Sequence, residues 1–250
     1  MKNFNKNKRS AFSLIELSIV LIIIGLLIAG ITGGASLIKS SELRSAMGEA
    51  RGYSVAVNAF YTQFDAYPGD FKTLISANDT AGDGNGFIEF TNGTASEGYE
   101  AFRDLYTVGA ITSNVTATTG TTMIPSSDAA SPGADFPSSK IANTGWIFDS
   151  SEDTEKHNYV VLTAAVAATS GASSTNTFTE TGTSVAFGGA LTPTDALSID
   201  TKSDDSKSTT GEVRALGDTT CHDGSAATPA GTYAVATTTK TCAIAFNIDI

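Results

Sequence analysis

Twenty residues, Phe12 to Ile31, contain a single charge, Glu16, in an otherwise mostly apolar run. As a helix such a run covers ~30 Å at ~1.5 Å per residue, the hydrocarbon thickness of a bilayer, so it is a membrane-span candidate. Helical spacing continues from there to Phe64, and a rod of about 53 residues would be roughly 80 Å long. A compact domain built from a chain of 250 residues cannot enclose it. The chain is therefore expected to project the first part of this helix and to fold the rest of itself against the second.

The lone carboxylate sharpens the picture. An ionised group near the end of an apolar helix is costly and usually has a partner or a function. Glu16 has no cation within its own span; the nearest are Lys8 and Arg9 upstream and Lys39 downstream. In the bland alternative it snorkels at the headgroups of an ordinary signal anchor. Met1 to Ala11 carries Lys2, Lys6, Lys8 and Arg9 with no acid, which by the positive-inside rule places it in the cytoplasm. It has the charge of a signal n-region, yet no A-x-A site follows the apolar run, so any cleavage falls before the span.

Ala11-Phe12-Ser13-Leu14-Ile15-Glu16-Leu17, behind a basic leader and ahead of an apolar helix, resembles the signal of prepilins and pseudopilins of type IV pili and type II secretion systems. The motif, the basic leader and the apolar helix that carry the resemblance cover only the first ~55 residues, and the rest of the chain lies outside it. It implies a prepilin peptidase that cuts between Ala11 and Phe12 and methylates the new amino group. The residue before the cut is usually Gly and here is Ala11, also small. It implies that Glu16 neutralises the Phe12 amino group of a neighbouring subunit in a filament core, a buried charge pair that would fix register. The implied partners are copies of the chain, other pilin-like subunits, the inner-membrane assembly platform and, before assembly, membrane lipid. The implied location is the bacterial inner membrane, N-terminus cytoplasmic and head periplasmic, then a periplasmic pseudopilus or a surface pilus.

Removing residues 1–11 takes four cations from a net charge of −11 and leaves −15. So acidic a chain disfavours nucleic-acid phosphate as a partner and suits an exported domain. Gly25, Gly30, Gly33 and Gly34 each lower helix propensity by ~1 kcal/mol relative to Ala and allow close helix packing or local melting. Beyond Lys39 the pattern turns amphipathic. Leu43, Ala46, Ala50, Tyr53, Val57, Phe60 and Phe64 form one stripe, with Glu42, Arg44, Glu49 and Arg51 between them. This stripe is expected to pack on the chain's own domain rather than form a coiled-coil seam. Tyr67-Pro68-Gly69-Asp70 ends the helix. The expected organisation is a leader, 1–11; an assembly half of the helix, 12–38; an amphipathic half, 39–64; and a head, 65–250.

The loop from Asn78 to Glu89 is the most ligand-like. Aligned on Gly86, Asp83, Asn85 and the Phe87 carbonyl occupy calcium-loop positions, with Asp79 or Glu89 recruited, although Ala81 and Asn92 stand where the first aspartate and the bidentate glutamate belong. The other reading is an Asx-Gly turn without metal. Asp200, Asp204 and Asp205 form a second acidic group, interleaved by Lys202 and Lys207 and equally readable as a solvated loop. Ca2+ is the one cofactor these loops invite.

Thr94 with Glu97 reads as a capping box opening a helix that Gly109 closes. Thr112 to Ser139 is polar and Pro-containing, an irregular excursion. Strands are expected at Trp146–Phe148, Tyr159–Val166, Val185–Phe187, Thr232–Thr238 and Cys242–Ile248, with His157 in a polar turn. Thr192-Pro193 opens a short helix to about Ile199. Cys221 and Cys242, the only cysteines, are expected to form a disulfide in an exported domain, and the loop they close is similar to that of many pilin heads. The adjacent Cys221-His222 invites a thiol-catalysis alternative.

The expected fold is α+β and pilin-like: a long N-terminal helix, its first half membrane-spanning, on a small antiparallel-β head with a C-terminal disulfide loop. The expected function is that of a filament subunit, pilin or pseudopilin. A minor pilin with a tip, priming or adhesive head is the alternative. A signal-anchored periplasmic enzyme is a third class, against which stands the lack of a convergent nucleophile, base or metal triad.

Overall fold

The computed structural model describes residues 13–73, 75, 81–89, 97–112, 136–151, 157–164, 166–169, 184–217, 219–223 and 231–250. Ala11, Phe12, Asp79, Thr94 and most of the Thr112–Ser139 excursion lie outside them. The chain forms two compact units, one ending at Glu42 and the other running from Leu43 to Ile250.

Helix α1, Leu14–Phe64, has 51 residues and begins in the first unit. There every Leu, Ile and Val from Leu14 to Ile38 is exposed. In the second unit the same helix turns amphipathic as its sequence requires. Leu43, Ala46, Ala50, Tyr53, Ala56, Val57 and Phe60 are buried and Phe64 partly so. Their partners are helix α2, Glu97–Thr107, and a four-stranded antiparallel sheet. The Tyr53 ring lies 5.6 Å from that of Phe102 on α2, and 5.8 and 5.9 Å from those of Trp146 and Phe148. These aromatic contacts contribute beyond the area they bury.

The sheet contains β1, Gly145–Ser151; β2, His157–Thr163; β5, Val213–Leu216; and β6, Ala243–Asn247, in the order β1-β2-β6-β5. Strands β3, Val166–Thr169, and β4, Ser184–Phe187, pair separately. Helix α3, Pro193–Ser203, precedes β5. The outer edge of β5 is closed rather than left as a pairing template: Val213 N–H donates to Asp204 and Ala215 N–H to the Ser208 carbonyl.

Glu49, one of the charges between the stripe residues, does not simply face water. Its Oε2 accepts from Trp146 Nε1 at 2.9 Å and Ser139 Oγ at 2.8 Å, and its Oε1 from Lys140 N–H at 3.2 Å. Trp146 is fully buried, so this carboxylate satisfies an indole donor that water does not reach.

The structure corrects four expectations. Tyr159–Val166 is two strands, because Val166 leaves β2 to pair with Phe187 of β4. Thr232–Thr238 is no strand: Tyr233 makes an isolated bridge with His222, and the backbone then turns, with Thr237 N–H on the Ala234 carbonyl. Its three Thr and one Val favour a strand, but among the described residues its pairing is confined to Cys221–Asp223, with Asp223 N–H on the Thr232 carbonyl and Ala234 N–H on the Cys221 carbonyl. Helix α3 runs past Ile199 to Ser203, where the Asp204 N–H closes onto the Asp200 carbonyl. His157 opens β2 instead of sitting in a turn, paired with Ser151. Strand β5 was not expected, being four residues long with Arg214 in the middle.

Candidate functional site

The start of α1 is set locally. Ser13 precedes the first helical residue, and its N–H donates to Glu16 Oε2 at 2.8 Å, while Leu17 N–H reaches the Ser13 carbonyl at 3.2 Å. This is half of a capping box, legible as Ser13-x-x-Glu16. Glu16 thus has a role within its own chain, and its negative charge also suits the positive end of the helix dipole. A Cβ added at Gly25, Gly30, Gly33 or Gly34 would meet nothing within 4 Å. By length and composition α1 is the one described helix able to cross a membrane.

The acidic loop is organised around Asp70, a residue that the sequence marked only as part of a turn. Asp70 is buried, and its Oδ1 accepts from Gly84 N–H at 2.5 Å and Asn85 N–H at 3.0 Å, its Oδ2 from Gly86 N–H at 2.8 Å. Gly84 and Gly86 adopt φ of +71° and +94°, which glycine takes without strain and which aims successive amides at one carboxylate. Glu97, at the start of α2, accepts from Asp83 N–H and Glu89 N–H, both at 3.1 Å. Asp70, Asp83 and Glu97 place carboxylate oxygens within 4.8 Å of one another.

Of the expected ligand set, Asp83 belongs to this cluster. Asn85 Nδ2 donates to Asp83 and to Glu89, and Phe87 N–H donates to Asn85. Asp79 lies outside the described residues. Asp70 and Glu97 went unseen because they stand 13 or more positions from Asp83 and no local spacing marks them. Asn158 of β2 holds the loop in place, its side chain accepting from Ile88 N–H and donating to the Gly86 carbonyl.

Burial pushes Glu97 up to about 7, against the lowering effect of the Glu89 and Asp83 N–H donors and with the Asp70 and Asp83 charges adding to the rise. Burial likewise raises Asp70 despite its three amide donors. Asp70, Asp83 and Glu97 are the hard oxygen donors a Ca2+ ion takes, and a cation would favour their ionised forms. It would also share those oxygens with the backbone amides that already use them.

The second group, Asp200, Asp204 and Asp205, also gathers its oxygens within 4.8 Å. Its buried member serves the fold: Asp200 accepts from Tyr233 Oη at 2.7 Å and Ser206 N–H at 3.0 Å. Burial raises Asp200, partly offset by those two donors, and raises Tyr233 together with the adjacent carboxylate. Cys221 and Cys242 form a disulfide with Cα atoms 5.2 Å apart, joining the segment after β5 to the start of β6. A Cβ on Gly217 would strike the Cys221 side chain. With the sulfur in a disulfide, the thiolate required by the Cys221-His222 alternative is absent. His157 Nδ1 lies 2.5 Å from Asp249 Oδ2.

Comparison with known families matches residues 6–32 to the prokaryotic N-terminal methylation motif. Comparison with curated proteins and with solved structures gave no match. The matched residues contain the second half of the basic leader with Lys6, Lys8 and Arg9, then Phe12, the Ser13–Glu16 cap and the apolar run up to Ile31. The long helix, the antiparallel sheet and the Cys221–Cys242 disulfide fit the pilin-like α+β fold. The chain therefore carries the prepilin-type signal of type IV pilins and pseudopilins.

Proposed function

We propose that this chain is a structural subunit, a pilin or pseudopilin, cut between Ala11 and Phe12 and polymerised through its N-terminal helix into a type IV pilus or a type II secretion pseudopilus. The observation that carries this reading is the methylation motif over residues 6–32. The exposed apolar side chains from Leu14 to Ile38 support it, since they need either lipid or other helices to cover them. The chemistry is assembly without turnover. Apolar helices exchange lipid for a protein core, the Glu16 carboxylate pairs with the Phe12 amino group of a neighbour, and the head forms the outer surface. Before assembly the precursor is held in the membrane, where the peptidase and the assembly platform act on it.

Mass spectrometry of the mature N-terminus tests the processing step. The expected result is an N-methylated Phe12; an uncut leader, or a cut beyond Ile31, overturns the assignment. Glu16→Ala tests the pairing separately: a processed, folded, membrane-held chain that assembles poorly is expected, and normal filament yield counts against it. Abundance in purified filaments separates a major subunit from a minor one.

A further inference from the structure

We propose that the outward face of α1 from Arg44 to Ala59 is a docking surface for the acidic head of a second copy of this chain. Steps of three and four place Arg44, Gly48, Arg51, Gly52, Val55 and Ala59 on one side of the helix, away from the buried stripe. All six are exposed, Val55 to 68%. A Cβ on Gly48 or Gly52 would meet nothing within 4 Å, so another backbone can come close there. The face carries two guanidinium groups and no carboxylate. Glu49, the nearest acid on the helix, is committed to Trp146, Ser139 and Lys140.

Charge names the occupant. Residues 65–250 hold 23 Asp and Glu against eight Lys and Arg. Asp65, Asp83, Asp205, Glu212, Asp223 and Asp249 are exposed among those described. A copy with a cationic helix face and an otherwise acidic head complements another copy of itself. Such a contact joins unlike patches, and when it is made head to tail it repeats into an open helical array wherever its rotation does not close a ring. Arginine adds geometric fit, because its planar fork takes a carboxylate through two hydrogen bonds. The face borders a groove of about 160 Å3 lined by Met47, Ala50, Arg51, Glu212 and Phe246. Arg51 and Glu212 make no ion pair with each other there.

This inference rests on the filament reading, and the test keeps the two apart. Self-association of the full processed chain in detergent is followed by sedimentation for the wild type, the double variant Arg44→Glu with Arg51→Glu, and the double variant Arg44→Lys with Arg51→Lys. Both positions are exposed, so all three proteins should share one denaturation midpoint, read from the fluorescence of Trp146. The wild type is expected to associate less as salt rises from about 0.05 M to about 0.5 M. Charge reversal is expected to weaken association about tenfold or more at low salt, and the lysine pair, which keeps the charge but loses the fork, to fall between the reversal variant and the wild type. Reversal variants that associate like the wild type overturn the proposal. So does a change confined to binding of phosphatidylglycerol vesicles, which would assign the face to anionic lipid. An unprocessed Phe12 defeats the filament reading instead, whatever the arginines do.

Discussion

Glu49→Ala removes one carboxylate and three hydrogen bonds that hold the second half of α1 to the head. The geometry sets the size of the effect. Trp146 Nε1–H sits at 2.9 Å from Oε2 on a fully buried side chain, so losing the acceptor leaves an indole donor without water to replace it. That alone costs ~1–3 kcal/mol, and hydrogen bonds to a charged group contribute ~1.5–3 kcal/mol each. Ser139 Oγ and Lys140 N–H can turn toward solvent and recover part of theirs, and bonds sharing one acceptor are not additive. The expected loss is ~3 kcal/mol for Glu49→Ala and ~1–2 kcal/mol for Glu49→Gln, which keeps an acceptor oxygen but not the charge. Urea unfolding of the full chain in detergent measures it, with Trp146, the one tryptophan, as reporter. Glu212→Ala, an exposed acid, is the control and should stay within ~0.5 kcal/mol of the wild type. Were Glu49→Ala to match that control, the carboxylate would be an ordinary surface charge and the latch would be refuted.

Other expectations concern the acidic cluster, the buried tyrosine and the disulfide. Glu97 has a folded value of about 7 against 4.5 for the unfolded group, so the folded chain binds the proton more tightly and stability falls as pH rises through that window. The full shift corresponds to ~3 kcal/mol, reduced to ~1–2 kcal/mol because the side chain is partly exposed. Midpoints measured in chelator from about pH 4.5 to about pH 7.5 should show the decline, and a flat profile would contradict it; flattening by added Ca2+ is what the cation reading of the cluster requires. Tyr233→Phe strips a donor from buried Asp200 and should cost ~1.5–3 kcal/mol; a cost below ~0.5 kcal/mol would show that the pair is dispensable. Replacing Cys221 and Cys242 together by Ala should lower stability by ~3 kcal/mol from loop entropy, and an unchanged midpoint in oxidised protein would argue against the bridge.

What the sequence determined by itself is what depends on neighbours in the chain. The apolar run, the switch to a stripe at Leu43, the Pro68-Gly69 stop and the Thr192-Pro193 cap of α3 are all written within a few turns of helix, and periodicity reads them directly. The same holds for the signal around Phe12 and Glu16, because its chemistry is a short linear pattern. Tertiary structure decided the rest. Only folding brings Asp70 and Glu97 to Asp83, pairs Val166 with Phe187 instead of leaving it in β2, and gives Thr232–Thr238 a single bridge to His222 among the described residues in place of a ladder. Only folding carries Glu49 to Trp146, 97 positions away, and turns a residue read as surface charge into the acceptor for a buried indole. The physical reason is that ladders and carboxylate clusters draw their partners from distant positions, and their energy appears only after the loops between them have closed.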